Sequence, residues 1–174
     1  MDASIGTAVW LAAQARGRWY SESNDEIKQA DSQPAISDAR ILFSGLGADE
    51  LMGGYKGRHR TIYRTEGLEG IKREMDADLS RLWFRNLGRD DRLISDHGKE
   101  VRHPFLDEDL IGFVTALSLE EHVCDLSKPD GVGDKQLLRR AATMIGLSPE
   151  VATRSKRAIQ FGSRSKQVIE RKKS

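Results

Sequence analysis

Ile41-Leu42-Phe43, between polar Arg40 and the turn residues Ser44-Gly45, reads as a strand buried on both faces. It is the only convincing strand in the sequence. A buried strand must pair its backbone N–H and C=O groups, and one strand cannot make a sheet. Either the chain is almost wholly helical and this segment is misread, or the partner strands lie outside it, upstream of Met1.

Helical patterning dominates the rest. Ile5, Ala8, Val9, Ala12 and Ala13 predict a helix over 3–16, with Gly17 as its stop. Residues 21–40 are polar, contain Pro34, and read as a surface loop. A short helix is expected at 48–51, broken by Gly53-Gly54. The clearest helix spans 66–85, where Leu68, Ile71, Met75, Leu79 and Leu82 recur every three or four residues. Residues 89–100 read as a weaker helix, and Pro104 ends that run because it disfavours the helical conformation at His103. Asp107 is a cap for a helix burying Leu110, Phe113, Val114 and Leu117. Leu137, Leu138, Ala141 and Ile145 place another over 133–145, ending at Gly146. Ser148-Pro149-Glu150 marks a further start. The basic tail 163–174 reads as a frayed, solvated terminus.

The balance of 28 Lys and Arg against 27 Asp and Glu argues against a general nucleic-acid binder. No apolar run is long enough to span a membrane and no signal peptide is visible. The single cysteine, Cys124, excludes an internal disulfide framework and reads as a small buried residue, so a cytoplasmic protein is expected. His59, His97, His103 and His122 lack metal-site spacing. Arg58-His59-Arg60 reads as a solvated loop face, or as a small anion patch.

Ser44-Gly45-Leu46-Gly47-Ala48-Asp49-Glu50 joins the strand to the next helix. Glycines there let the backbone approach a ligand, and N–H groups facing one way form an anion nest. Asp49 and Glu50 are placed to hold Mg²⁺ against a polyphosphate. The alternative is a plain tight turn with acidic helix-start residues. It is not a Walker A loop, since the Gly-Lys-Ser/Thr ending is absent.

The longer string Ser44-Gly-Leu-Gly-Ala-Asp-Glu-Leu-Met-Gly-Gly-Tyr55 resembles the Ser-Gly-Glu-Gly-Ala-Asp-Glu-x-x-Gly-Gly-Tyr motif of asparagine synthetases. Glu100-Val-Arg-His-Pro-Phe-Leu-Asp107 resembles that family's Glu-Ala-Arg-x-Pro-Phe-Leu-Asp. Asp134-Lys-Gln-Leu-Leu-Arg139 and Arg154-Ser-Lys156 resemble its Lys-x-x-Leu-Arg helix and following Arg-x-Lys. The segments 1–6, 86–92, 96–100 and 156–164 look like a divergent branch of asparagine-synthetase-domain proteins, so the resemblance covers nearly the whole chain.

The resemblance implies a helix-dominated α/β fold: part of an ATP-pyrophosphatase domain over 1–162, with its first strands missing. It implies ATP and Mg²⁺ as cofactors and aspartate as the substrate, activated as an acyl-adenylate and then attacked by ammonia. By position Ser44, Gly45 and Gly47 would meet the nucleotide. Asp49, with Glu50, would hold Mg²⁺, and Lys156 would neutralise the leaving pyrophosphate. Tyr55, Asp107 and Lys135 match motif positions too and read first as structural.

Three departures bear on activity. The Ser-Gly-Gly-x-Asp-Ser phosphate loop is absent, and there is no N-terminal Cys nucleophile, so a glutaminase domain or upstream half would have to be supplied elsewhere. Leu46 stands where the family has a catalytic acid, and leucine can neither accept a proton nor stabilise charge. The expectations are therefore a ligase domain working within a longer assembly, a pseudoenzyme acting as a protein-interaction module, or a truncated product without independent function.

Overall fold

The three-and-four spacing after Gly67 is realised as the second half of the longest helix, α3 (Lys56–Leu82). Gly67 interrupts it with φ 68° and ψ −159°, a conformation open to glycine, so two helical segments meet at a kink. The helix starts ten residues before the sequence pattern does, because its first turns carry Arg58, His59 and Arg60 rather than a plain apolar stripe. A π-helical turn, Trp83–Leu87, follows it.

The computed structural model describes residues 2–19 and 33–163, which fall into two units. One takes the described residues of 2–42, 88–102 and 158–163; the other takes 43–87 and 103–157. Among the described residues no helix is long and apolar enough to cross a membrane.

In the first unit, α1 (Asp2–Ala13) packs on α4 (Gly88–Ser95), and α8 (Ile159–Gly162) contacts α1. The Trp10 indole N–H donates to Asp96 at 2.7 Å. Gly17 does not stop the helix but lies within β1 (Arg16–Trp19), which pairs antiparallel with β2 (Gln33–Ile36), Arg16 opposite Ile36. The expected loop over 21–40 is thus corrected at 33–36, where Pro34 is tolerated as it is in edge strands; residues 21–32 lie outside the described set.

The strand β3 (Ile41–Phe43) exists, but its burial does not. Ile41 is 49% and Phe43 79% exposed. Its partner is β4 (Glu100–Arg102), whose first residue had been read as the end of a helix. Three apolar residues look like an interior strand by pattern, yet among the described strands only β4 pairs with them, and only Leu42 is half-buried. β3 is therefore paired on one side only, the under-pairing expected from its isolation, and a liability for edge-to-edge association.

The second unit holds the core. Leu51, Met52, Val114 and Val123 form one cluster; Ile71, Met75, Cys124 and Leu126 form another. They come from α2 (Ala48–Leu51), α3, α5 (Glu108–Ala116) and the π-helical turn Leu119–Val123 with the residues after it. The Asp107 carboxylate accepts from the N–H groups of Asp109 and Leu110, capping α5 as its sequence predicts. In α5 only Val114 is buried, whereas Phe113 is 58% exposed. α6 (Gln136–Met144) ends before Gly146, and Ile145, counted in its buried stripe, is on the surface. Ser148 caps α7 (Pro149–Ala152). Burial, with Asp125 and Asp134 nearby, pushes the Cys124 thiol up to about 12, so it stays protonated and inert.

Arg58-His59-Arg60 lies on a helix, not on a solvated loop. His59 is wholly buried, its Nε2 3.0 Å from Asp78, and Arg58 pairs with Glu74 and Asp78. Burial outweighs the Asp78 carboxylate and lowers the His59 pKa from 6.5, so the ring is held neutral. The unfolded chain then binds a proton that the folded one refuses. Stability is expected to be full above the ordinary histidine value and to fall as pH drops through and below about 6.5. Urea midpoints from pH 8 to 5 should decline for the native chain and flatten in His59→Gln.

Candidate functional site

The glycine turn, α2, the segment before α6 and the segment after α7 belong to one unit and bring three charged side chains together. Asp49 receives Lys156 Nζ on one carboxylate oxygen at 2.8 Å and Lys135 Nζ on the other at 3.1 Å. All three side chains are about one-fifth exposed, so the cluster opens to solvent. Burial by itself would push the Asp49 carboxyl up, but the hydrogen bonds and charges of Lys156 and Lys135 outweigh it and hold it below the usual carboxylate range.

Each member is placed by local constraints. Gly47 takes φ 99°, and a Cβ there would sit 2.5 Å from Leu106 Cδ2, so the turn closes only around glycine. Gly54 lets the chain fold back against Asp49: a Cβ would lie 2.0 Å from Asp49 Oδ1 and 2.8 Å from its Cα. The Gly-Gly pair is thus part of what positions the carboxylate. Ser44 Oγ accepts from the Leu46 N–H at 3.2 Å, Gly45 is exposed, and Leu46 is half-buried.

Lys135 adopts the left-handed region, φ 51° and ψ 38°, uncommon for a residue with a side chain. Its N–H donates to Met52 C=O at 2.9 Å. The preceding Asp134, fully buried, accepts from Gly131 N–H at 2.6 Å and from Arg139 at 2.5 Å. Arg139 also donates to the carbonyls of Ala152 and Arg154, at 2.7 and 3.1 Å. One buried ion pair therefore ties the residue before Lys135 to the strand of chain that delivers Lys156.

Tyr55 forms the wall beneath Lys156, whose Nζ lies 4.8 Å from the ring centroid. A cation over an aromatic face gains about 0.5–2 kcal/mol, depending on how far it is desolvated. The Tyr55 hydroxyl donates to Glu50, itself only 3% exposed. Burial first, then the hydrogen bond and charge of Glu50, hold the phenol's ionisation well above its usual range. The structure thus brings Asp49 and Lys156 together, near the turn at 44–47, and gives Glu50 to Tyr55. Lys135 and Tyr55, which the sequence presents as structural, join the cluster. Their signal was their place in the motifs, but motif position alone does not show which way a side chain points.

The arrangement offers two ammonium groups around one carboxylate at an open glycine turn. An anion bearing several oxygens can share the lysines with Asp49, and a hard cation can take the carboxylate. Among the described residues no group of three or more His, Cys, Asp or Glu could cage a metal alone.

Comparisons with known proteins bear on the family. The asparagine synthase family model matches residues 63–172, more than half of the chain. Asparagine synthetase domain-containing protein 1 of Gallus gallus is 46% identical over 94% of this chain and 24% of its own length. The Mus musculus protein of the same name is 48% identical over 94% of this chain and 25% of its own. A putative glutamine-hydrolysing asparagine synthetase of Methanocaldococcus jannaschii is 33% identical over 75% of this chain and 28% of its own. The chain spans about a quarter of the length of these curated relatives. The family match starts downstream of the glycine turn, whereas the first relatives align over nearly the whole chain, and both converge on one assignment. This chain, with its helix-dominated α/β architecture, belongs to the asparagine synthase family.

Proposed function

We propose that residues 44–156 form the pyrophosphate side of an ATP-dependent amide-forming site, completed within a longer cytoplasmic protein by a phosphate loop that this chain does not carry. The observation that carries this reading is the clasp of Asp49 by Lys135 and Lys156 beside the glycine turn. Asp130 also has two basic partners, Lys56 and Arg60, but Asp49 differs in lying beside the glycine turn with the Tyr55 ring under one of its lysines.

In this reading the residues present suit a nucleotide and its metal. Asp49 would hold Mg²⁺, with Glu50 acting through Tyr55, while Ser44, Gly45 and Gly47 would face the nucleotide. When bound, ATP would supply the activation of the aspartate carboxylate. Lys156, steadied over Tyr55 and resting on Asp49, would neutralise charge developing on the pyrophosphate oxygens. Lys135, fixed by its own backbone, keeps Asp49 ionised and takes the second share of that charge. Ammonia would have to come from outside these residues, since their one cysteine is the buried, protonated Cys124.

Leu46 favours a second reading. The turn keeps its shape but lacks the acid that would manage the incoming ammonia, which fits a nucleotide-binding pseudoenzyme. Aspartate-dependent pyrophosphate release by a chain extended to its relatives' length separates the two. Release is expected under the ligase reading, and Leu46→Glu should raise it. Pyrophosphate binding without any release, in both proteins, would leave the pseudoenzyme.

A further inference from the structure

After the kink at Gly67, one face of α3 borders a groove. Leu68, Lys72, Met75, Asp76 and Leu79 line it, spaced as one stripe over about 16 Å of helix at 1.5 Å per residue. Opposite lies the segment from Val114 to Val123, and the groove between them encloses about 530 Å³. Its floor is the core itself: Leu51, Met75, Val114 and Val123, with Leu79, Leu117 and Leu119 half-buried beside them.

The rim has the opposite character. Glu69, Asp76, Glu120 and Glu121 border the groove against a single base, Lys72. This acidic surplus is local, because the whole chain carries a net charge of only +1. Elsewhere in this unit acids are commonly matched, as Glu74 is by Arg58 and Asp130 by Lys56 and Arg60. Glu120 accepts from the Tyr63 hydroxyl. The side chains of Glu69 and Asp76 take part in no hydrogen bond or ion pair among the described residues.

We infer that this groove docks a basic amphipathic helix of a partner protein. An apolar floor three helical turns long asks for apolar anchors at three-and-four spacing, the helix-in-groove mode of peptide recognition. The acidic rim, with Glu69 and Asp76 on α3 and the partnered Glu120 and Glu121 opposite, favours Lys or Arg flanking that stripe and disfavours acidic occupants. The inference does not use the pyrophosphate reading: Asp49, Lys135 and Lys156 do not line the groove, and of the site's residues only the buried Glu50 borders it.

The test uses the full chain and a fluorescein-labelled 15-residue peptide of Leu, Lys and Ala, with Leu on one face and Lys on both flanks. An isomer of identical composition with scrambled order is the control. Anisotropy should show saturable micromolar binding of the first peptide, at least tenfold weaker binding of the isomer, and loss of affinity between 50 and 300 mM salt. The exposed pair Glu69→Lys with Asp76→Lys should weaken binding at least tenfold while leaving the melting curve unchanged. Leu68→Ser, which removes an apolar wall without touching charge, should weaken it severalfold. Equal binding of both isomers, or a double reversal within twofold of the native chain, would overturn the inference. So would self-association of the chain through this face, or exclusion of the peptide once the chain is extended to its relatives' length.

Discussion

Asp134→Ala is expected to lower the stability of the site-bearing unit by about 3–5 kcal/mol, the usual cost of removing one partner of a buried ion pair. Asp134 is fully buried and Arg139 nearly so, and the deletion leaves the guanidinium with carbonyls but no counter-charge. Burial would raise the Asp134 carboxyl, but Arg139 and the Gly131 N–H outweigh it and keep it below the ordinary range. Its contribution is therefore complete at neutral pH and is lost only as pH falls below about 4, through the depressed folded value. Urea denaturation at pH 7 measures the loss. The same substitution should also abolish site function, since Arg139 holds the carbonyls of Ala152 and Arg154 just ahead of Lys156. A shift in the urea midpoint worth less than about 1 kcal/mol would show that the pair is dispensable.

Lys156→Ala should lower aspartate-dependent pyrophosphate release by the extended chain about 100- to 1,000-fold, the range for removing one preorganised donor to developing charge. Its effect on stability should be small, because the lysine is partly exposed and Asp49 keeps Lys135. Lys156→Arg keeps the charge but changes its shape, and should recover only part of the rate. Lys135→Ala should cost less in rate, since it acts partly through Asp49, and should relieve none of the left-handed strain. Measuring kcat and KM for ATP separates the roles: loss confined to KM would make Lys156 a binding residue only.

The helices of the site-bearing unit were legible because their signals are local. The stripe from Leu68 to Leu82, the Asp107 cap and the Ser148-Pro149-Glu150 start each act within a turn or two. The strands were not. β4 is Glu-Val-Arg, with no apolar alternation, and it exists because it lies beside β3. β3 shows the converse: its apolar run reads as an interior strand, yet Ile41 and Phe43 are exposed and one described strand pairs with it. Of the site, Asp49 and Lys156 could be named from their motifs. The pairing of Lys135 with Asp49 could not, because residues 86 positions apart meet only through the left-handed turn at Lys135 and its bond to Met52. Glu50, an apparent companion of Asp49 in sequence, points to Tyr55 instead, since adjacent helical residues face different sides.

The central claim is that Asp49, Lys135 and Lys156 form a polyphosphate site, and titration calorimetry of this chain with Mg²⁺ and inorganic pyrophosphate tests it most directly. Saturable one-to-one binding is expected, weakened at least tenfold without Mg²⁺ and lost in the folded Lys135→Ala, Lys156→Ala double variant. No heat of binding from the folded native chain, or binding that survives removal of both lysines, would contradict the claim.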